Sequence, residues 1–210
     1  MQRGQMTNTR PMSLQEITEQ MVAIALEFGA SEAEVVDASA LTVNPELVRY
    51  CREPQCPSYG TSGHCPPNGP SAREFQLSLV WYEKAVVFKY DLPVSVLMTD
   101  ERLPVSRKIH ETAAILERFA GRAGCVVTMG VATGGCKTLF CSGFDECLRL
   151  KGGLCRHEGL SKPSMSGLGL DFTALCELAG WPVNKVTSES CASDGQMGAL
   201  AGLVLVGQTP

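Results

Sequence analysis

No stretch of this 210-residue chain is apolar for long enough to cross a bilayer. The longest, GALAGLVLVG over 198–207, falls well short of the ~20 residues a spanning helix needs. The first twelve residues, MQRGQMTNTRPM, lack the apolar run of a signal peptide. There is no block of like charge either: 18 basic and 22 acidic side chains leave a formal charge of −4. That removes the electrostatic footprint of a protein that binds nucleic acid or an anionic membrane. Histidine is scarce, three in all, which excludes a histidine-rich metal centre. The paired C-x2-C hooks of zinc ribbons are missing, and no internal repeat is present. These absences lead us to expect a soluble, cytoplasmic protein with no nucleic-acid and no membrane partner.

Cysteine is plentiful. Of ten, seven sit in two groups. Cys136, Cys141, Cys147 and Cys155 follow C-x4-C-x5-C-x7-C in a glycine-broken segment, and Cys51, Cys56 and Cys65 follow C-x4-C-x8-C among prolines. A chain of this length buries roughly 70% of its unfolded surface and needs no covalent staples to make a core. In a reducing compartment, clustered thiols point to metal or redox chemistry rather than disulfides.

Thiolates suit both iron–sulfur clusters and zinc. Gaps of four to eight residues, without C-x2-C, favour the wider span of a cluster, so one or two [4Fe-4S] clusters are expected, with zinc as the alternative. The upstream trio lacks a fourth thiol. His64, Cys125, Cys176 or Cys191 can complete it, an iron can stay open for a small ligand, or the trio can join the downstream thiols at one shared site. Cys125 and Cys176 sit among apolar neighbours and read as packed core thiols. His64 adjoins a cysteine and His157 lies two residues from one; with Arg156, they are the residues expected to hydrogen-bond to or tune a bound cofactor. His110, beside Arg107 and Lys108, reads as part of a solvated basic face. GVATGGCKT over 130–138 is close to a phosphate-binding loop, but Cys136 intervenes before Lys137 and spoils the register.

The rest of the chain alternates helices and strands. After a disordered lead-in over 1–12, Ser13 and Glu16 form a capping box opening a helix with Leu14, Ile17, Met21 and Ile24 on one face. A second box, Ser71 to Glu74, opens another helix, and Ile109, Ala113, Leu116 and Ala120 mark a third over 105–120. Strands are expected in 33–43, at 85–90, 125–129, 181–186 and 202–206. The expectation is one layered α/β domain over 13–210, a mixed sheet flanked by helices, with cysteine-rich metal-binding loops at 51–70 and 134–164.

Taken together, Cys51, Cys56, Tyr59-Gly60, Cys65-Pro66-Pro67 and then Cys136, Cys141, Cys147, Cys155-Arg156-His157, Lys162-Pro163-Ser164 and Gly169-Leu170-Asp171 resemble a family of predicted metal-binding proteins of unknown function from bacteria and archaea, many of them anaerobes. The close cysteines are more widely spaced here, Glu158 replaces a proline, and Lys162 replaces an arginine. The resemblance implies metal at the seven cysteines and no particular reaction, so catalytic residues stay unassigned. Two functional classes fit foremost. One is an iron–sulfur protein that transfers electrons, or activates or matures a partner enzyme, in anaerobic metabolism, with a redox or client protein as partner. The other is an enzyme with an open [4Fe-4S] site on three cysteines acting on a small ligand, sulfur-containing or not. A zinc-binding structural module is the third.

Overall fold

The computed structural model describes residues 10–52, 56–183 and 195–208. Four strands form one sheet: β1 (Glu32–Asp37), β2 (Lys84–Pro93), β3 (Val127–Val131) and β4 (Met197–Gly207). They lie in the order β1-β2-β4-β3, each pair antiparallel. The last strand in sequence therefore occupies the interior of the sheet, with Val86 opposite Val204 and Met129 opposite Leu205.

Both faces of the sheet are covered, which is why β2 and β4 are apolar without alternation. On one face, Val86, Phe88, Tyr90, Val204 and Val206 pack against α1 (Leu14–Glu27) and α4 (Leu103–Ala123) through Ile17, Met21, Ile109, Ala113 and Leu116. On the other, Ala85, Val87, Leu203 and Leu205 meet Phe75 of α2 (Ala72–Ser78), Leu175 of α6 (Phe172–Leu178), Leu168, Leu170 and Trp181. The layered α/β reading holds. The mixed sheet narrows to an antiparallel one: continuous apolar runs report burial on both faces, which parallel sheets usually have but antiparallel sheets can also have. The parallel element is an isolated bridge between Ala132 and Ser164.

Local chemistry sets the helix ends. Ser13 with Glu16 and Ser71 with Glu74 make complete capping boxes, and Asp171 caps α6 by accepting from the Thr173 and Ala174 amides. Gly124, at φ 112°, ends α4 in the left-handed region that favours glycine. The strand expected within 33–43 stops at Asp37, where the chain turns into a 3-10 segment. Of the lead-in, residues 1–9 lie outside the described residues, whereas Arg10 pairs with Glu16 and the Met12 carbonyl accepts from Gln208. The strand expected over 181–186 falls largely outside the described residues, and 181–183 are not strand. Among the described residues, no helix is long and apolar enough to cross a membrane.

Two short helices complete the set, α3 (Val94–Leu97) and α5 (Cys136–Phe140). The latter matters most, because β3 runs through Ala132–Gly135 straight into it and so delivers Cys136 to the end of the sheet.

Leu116 is fully buried between α4 and the sheet, and Leu77 is exposed on α2. Leu116→Ala should cost about 2–5 kcal/mol in urea unfolding and Leu77→Ala less than about 0.5 kcal/mol. Equal losses for the two would contradict the placement of this core.

Candidate metal centre

The two cysteine groups come together at one end of the sheet, held there by backbone rather than by their own side chains. The Ala132 amide donates to the Pro163 carbonyl (3.0 Å) and the Ala132 carbonyl accepts from the Met165 amide (2.9 Å). Beneath this clasp the buried Lys162 ammonium pairs with Glu117 of α4, whose other oxygen accepts from the Gly130 amide (3.0 Å). The Lys162 stem passes so close to Gly130 that a β-carbon there would lie 3.1 Å from it. The Lys-Pro-Ser element is thus a fastener for the strap that follows the four cysteines.

Cys136, Cys141, Cys147 and Cys155 line one cavity, together with His64, Arg156, His157, Phe140 and Ser62. Cys51, Cys56 and Cys65 line a second, with Ser58, Tyr59, Ser164, Ser166, Gly134 and Gly135. The cavities adjoin: a β-carbon on Gly135 would lie 2.1 Å from Ser58 Oγ and 3.8 Å from Cys65 Sγ, and Gly135 precedes Cys136. Only a bare backbone lets the two loops approach this closely. His64 faces the four-thiol cavity although it precedes Cys65 in sequence.

Among the described residues no carboxylate lines either cavity; the donors are sulfur and hydroxyl, joined in the first by the imidazoles of His64 and His157. The thiols surround a space rather than meet at a point, and among the described residues no three Cys, His, Asp or Glu side chains are gathered tightly enough to hold a single ion. The first space is narrow, about 10 Å³, room for a body of water size; the second is about 70 Å³. Three of the four thiols in the first group ride on a largely exposed arm over 141–155, outside any strand. Outward movement of that arm to admit a larger group gives up little buried apolar surface.

The thiols differ electrostatically. Burial pushes Cys136 up to about 11 and also raises Cys51, Cys65 and Cys141. Cys147 goes the other way: burial opposes its charge, but the amides of Gly63, Arg149 and Leu150 stabilise the thiolate and bring it below its ordinary value. Cys155 Sγ accepts from the His157 amide (3.4 Å) and lies 3.3 Å from Ser161 Oγ. Cys51 donates to Ser166 Oγ (3.4 Å). Arg156 donates to the Glu146 carbonyl (2.8 Å) and stacks 4.1 Å over Phe144, pinning the arm between Cys141 and Cys147. Lys137, which stands near the lysine position of a phosphate loop, bonds instead to the carbonyls of Cys141 and Phe144.

Cys125 and Cys176 are buried, one in each core layer, and line neither cavity. Cys191 lies outside the described residues. His110 corrects the reading of a solvated basic face. It is fully buried, its Nδ1 accepts from the Lys162 amide (3.0 Å), and its ring stands edge-on to Phe140 (5.4 Å), which in turn packs on His157 (5.5 Å). An accepting Nδ1 leaves the proton of the neutral ring on Nε2, which has no hydrogen-bond partner among the described residues. Helical periodicity carried the signal: Ser106, His110 and Ala113 share the inward face with Ile109. The serines at 58, 62, 164 and 166 had no such marker.

Walls of sulfur, imidazole and hydroxyl, with no carboxylate among the described residues, define a site suited to soft metals. Over residues 34–206 the chain matches the family described as predicted metal-binding protein (DUF2284), and it belongs to that family. No curated protein and no solved structure matches it.

Gly135→Ala should lower metal bound per chain and the thermal midpoint, and Ser58→Gly in the same chain should restore much of both. Gly143→Ala, with open space around it, should change neither. Unrescued loss in the double variant would place the fault elsewhere. Burial, followed by His64 and Lys162, drives His110 down to about 4, although the Gly134 and Thr133 backbone favour its charge. The unfolded chain then binds the extra proton between about pH 6.5 and 4, so stability falls with acidification across that window, by up to about 3 kcal/mol. His110→Gln, which keeps an acceptor for Lys162, should flatten the slope in denaturant titrations. Parallel slopes for the two proteins would count against a buried neutral His110.

Proposed function

We propose that this metal-binding protein carries two neighbouring iron–sulfur centres, [4Fe-4S] in type. One is held by Cys136, Cys141, Cys147 and Cys155, the other by Cys51, Cys56 and Cys65. The observation that supports this reading is the grouping itself: seven thiols line two adjoining cavities that no carboxylate among the described residues enters. Thiolates are the donors such clusters take, and when bound a cluster supplies one-electron chemistry at a potential set by burial and hydrogen bonding.

The chain's own residues would then do recognisable work. The amide of His157 and the hydroxyl of Ser161 meet Cys155 sulfur, and the amides of Gly63, Arg149 and Leu150 meet Cys147 sulfur. Donors of this kind stabilise the more negative state of a thiolate-bound metal. His64, neutral because burial and then Arg149 and Lys162 press it down to about 4, adds no charge to the four-thiol cavity, whereas Arg156 does. In biological terms the reading is electron transfer, or activation or maturation of a partner enzyme, in a cytoplasmic, anaerobic setting. The partner is a redox or client protein.

A second reading has a specific observation behind it. The centre of the four-thiol cavity is too narrow for a cubane unless the 141–155 arm moves outward, whereas a single zinc ion needs only that the thiols close in on it. Zinc there would be structural and would tie the arm to α5.

Iron, zinc and acid-labile sulfide per chain after anaerobic purification distinguish the two. Iron and sulfide in comparable amounts, with brown colour and broad absorption, are expected. Cys65→Ala and Cys155→Ala should each remove a different part of the iron. A colourless, zinc-loaded protein would sink the cluster reading, and total loss from either variant alone would merge the two centres into one.

A further inference from the structure

The three-thiol cavity has uncharged walls but a positively charged approach. Tyr59 and Pro66 line that cavity and also a groove of about 380 Å³ on the outer surface. Pro45, Pro67 and Pro70 stiffen the groove, and two arginines, Arg52 and Arg73, stand on its walls. Neither arginine makes an ion pair with a described residue, and among the described residues no carboxylate lines the groove or the cavity behind it. Glu74, which follows Arg73, is held by the amide and hydroxyl of Ser71 at the start of α2, and Glu53, which follows Arg52, lies outside the described residues.

Donor count points the same way. A soft-metal site normally takes four donors, and this cavity offers three thiols. Among the described residues no further sulfur or imidazole lines it: His64 faces the other cavity, and Cys125 and Cys176 are in the core. The rest of its wall is hydroxyl and backbone, with Ser166 already bonded to Cys51 and Ser164 Oγ accepting from the Gly167 amide.

We propose that the three-thiol centre takes its fourth ligand from a small carboxylate that carries a thiol, entering through this groove with its carboxylate on Arg52 and Arg73. The inference rests on the reading that Cys51, Cys56 and Cys65 hold metal. Guanidinium groups pair with carboxylates through two parallel hydrogen bonds, and a thiolate is the donor a soft metal prefers. Binding is ligand exchange: the thiol proton passes to solvent, a metal–sulfur bond forms, and any water on the metal leaves. No electron moves. The hydroxyl-rich wall of Ser58, Tyr59, Ser164 and Ser166 gives the remainder of such a molecule polar contacts without adding charge.

Isothermal titration calorimetry of the metal-loaded protein under argon tests this, because it reads zinc and iron alike. The probes are 3-mercaptopropionate and the uncharged 2-mercaptoethanol. The carboxylate compound should bind about tenfold or more tightly than the neutral one, the equivalent of one charge-assisted contact. Arg52→Ala and Arg73→Ala should each shrink that preference several-fold while metal per chain stays unchanged. Cys65→Ala should abolish binding of both probes, and Cys155→Ala should leave it in place. Equal affinity for the two thiols, or no heat with metal fully loaded, overturns the proposal while sparing the metal reading. Loss of the three-thiol metal in Cys191→Ser overturns it too, by showing that the protein supplies the fourth ligand. Unchanged metal content in Cys65→Ala removes both the inference and the reading beneath it.

Discussion

The structure depends on one buried ion pair and the backbone clasp above it. Lys162 and Glu117 meet between α4 and the strap that follows the four cysteines, with Lys162 almost wholly inside. A lone ammonium in that place would be costly, and so would a lone carboxylate. Each is present because the other is, and Glu117 is fixed further by the Gly130 amide. The pair locates the strap against the helix, the Ala132 clasp locates it against the end of β3, and His110 accepts the amide of the same lysine. Three elements distant in sequence are thereby registered at one point. Both cysteine groups hang from that point, one before the strap and one across from it.

Much of the framework could be read from the chain before any coordinates. Two capping boxes, the apolar spacing of α1 and α4 and the run at β2 are local signals, and local signals survive folding. Strand order is not local. Nothing in the residues of β4 says that it inserts between β2 and β3, because its uninterrupted apolar run reports only that both faces are covered. The two sulfur groups were visible as spacings, and so was the apolar setting of Cys125 and Cys176. What faces them was not. The serines of the three-thiol cavity come from two segments about a hundred residues apart, and hydroxyl side chains carry no periodicity to flag them. His110 misled because Arg107 and Lys108, its immediate neighbours, do face outward; its neighbours on the helix, four before and three after, are the ones that share its environment.

The two cavities have unlike surroundings despite their shared wall. Around the four thiols stand two histidines, two arginines and a lysine, under an exposed arm pinned by Arg156 on Phe144. Around the three thiols stand hydroxyls and glycine, in a loop braced by prolines. Bound metal of the same kind would therefore meet different fields in the two places. Positive charge near the first stabilises added negative charge, and neutral hydroxyls near the second do so less. The pair is polarised by its walls, and Gly135 keeps the walls thin.

Placing β4 inside the sheet has a consequence for how the chain is made. A ribosome releases β1, β2 and β3 first, and two of these edges stay unpaired until Met197–Gly207 emerges between them. Through that interval the thiols at 51–65 and 136–155 have no finished scaffold behind them, and the nascent chain exposes them beside open strand edges. Assembly of the sulfur-lined end is then a late event, completed by the insertion of a strand that contributes no thiol of its own.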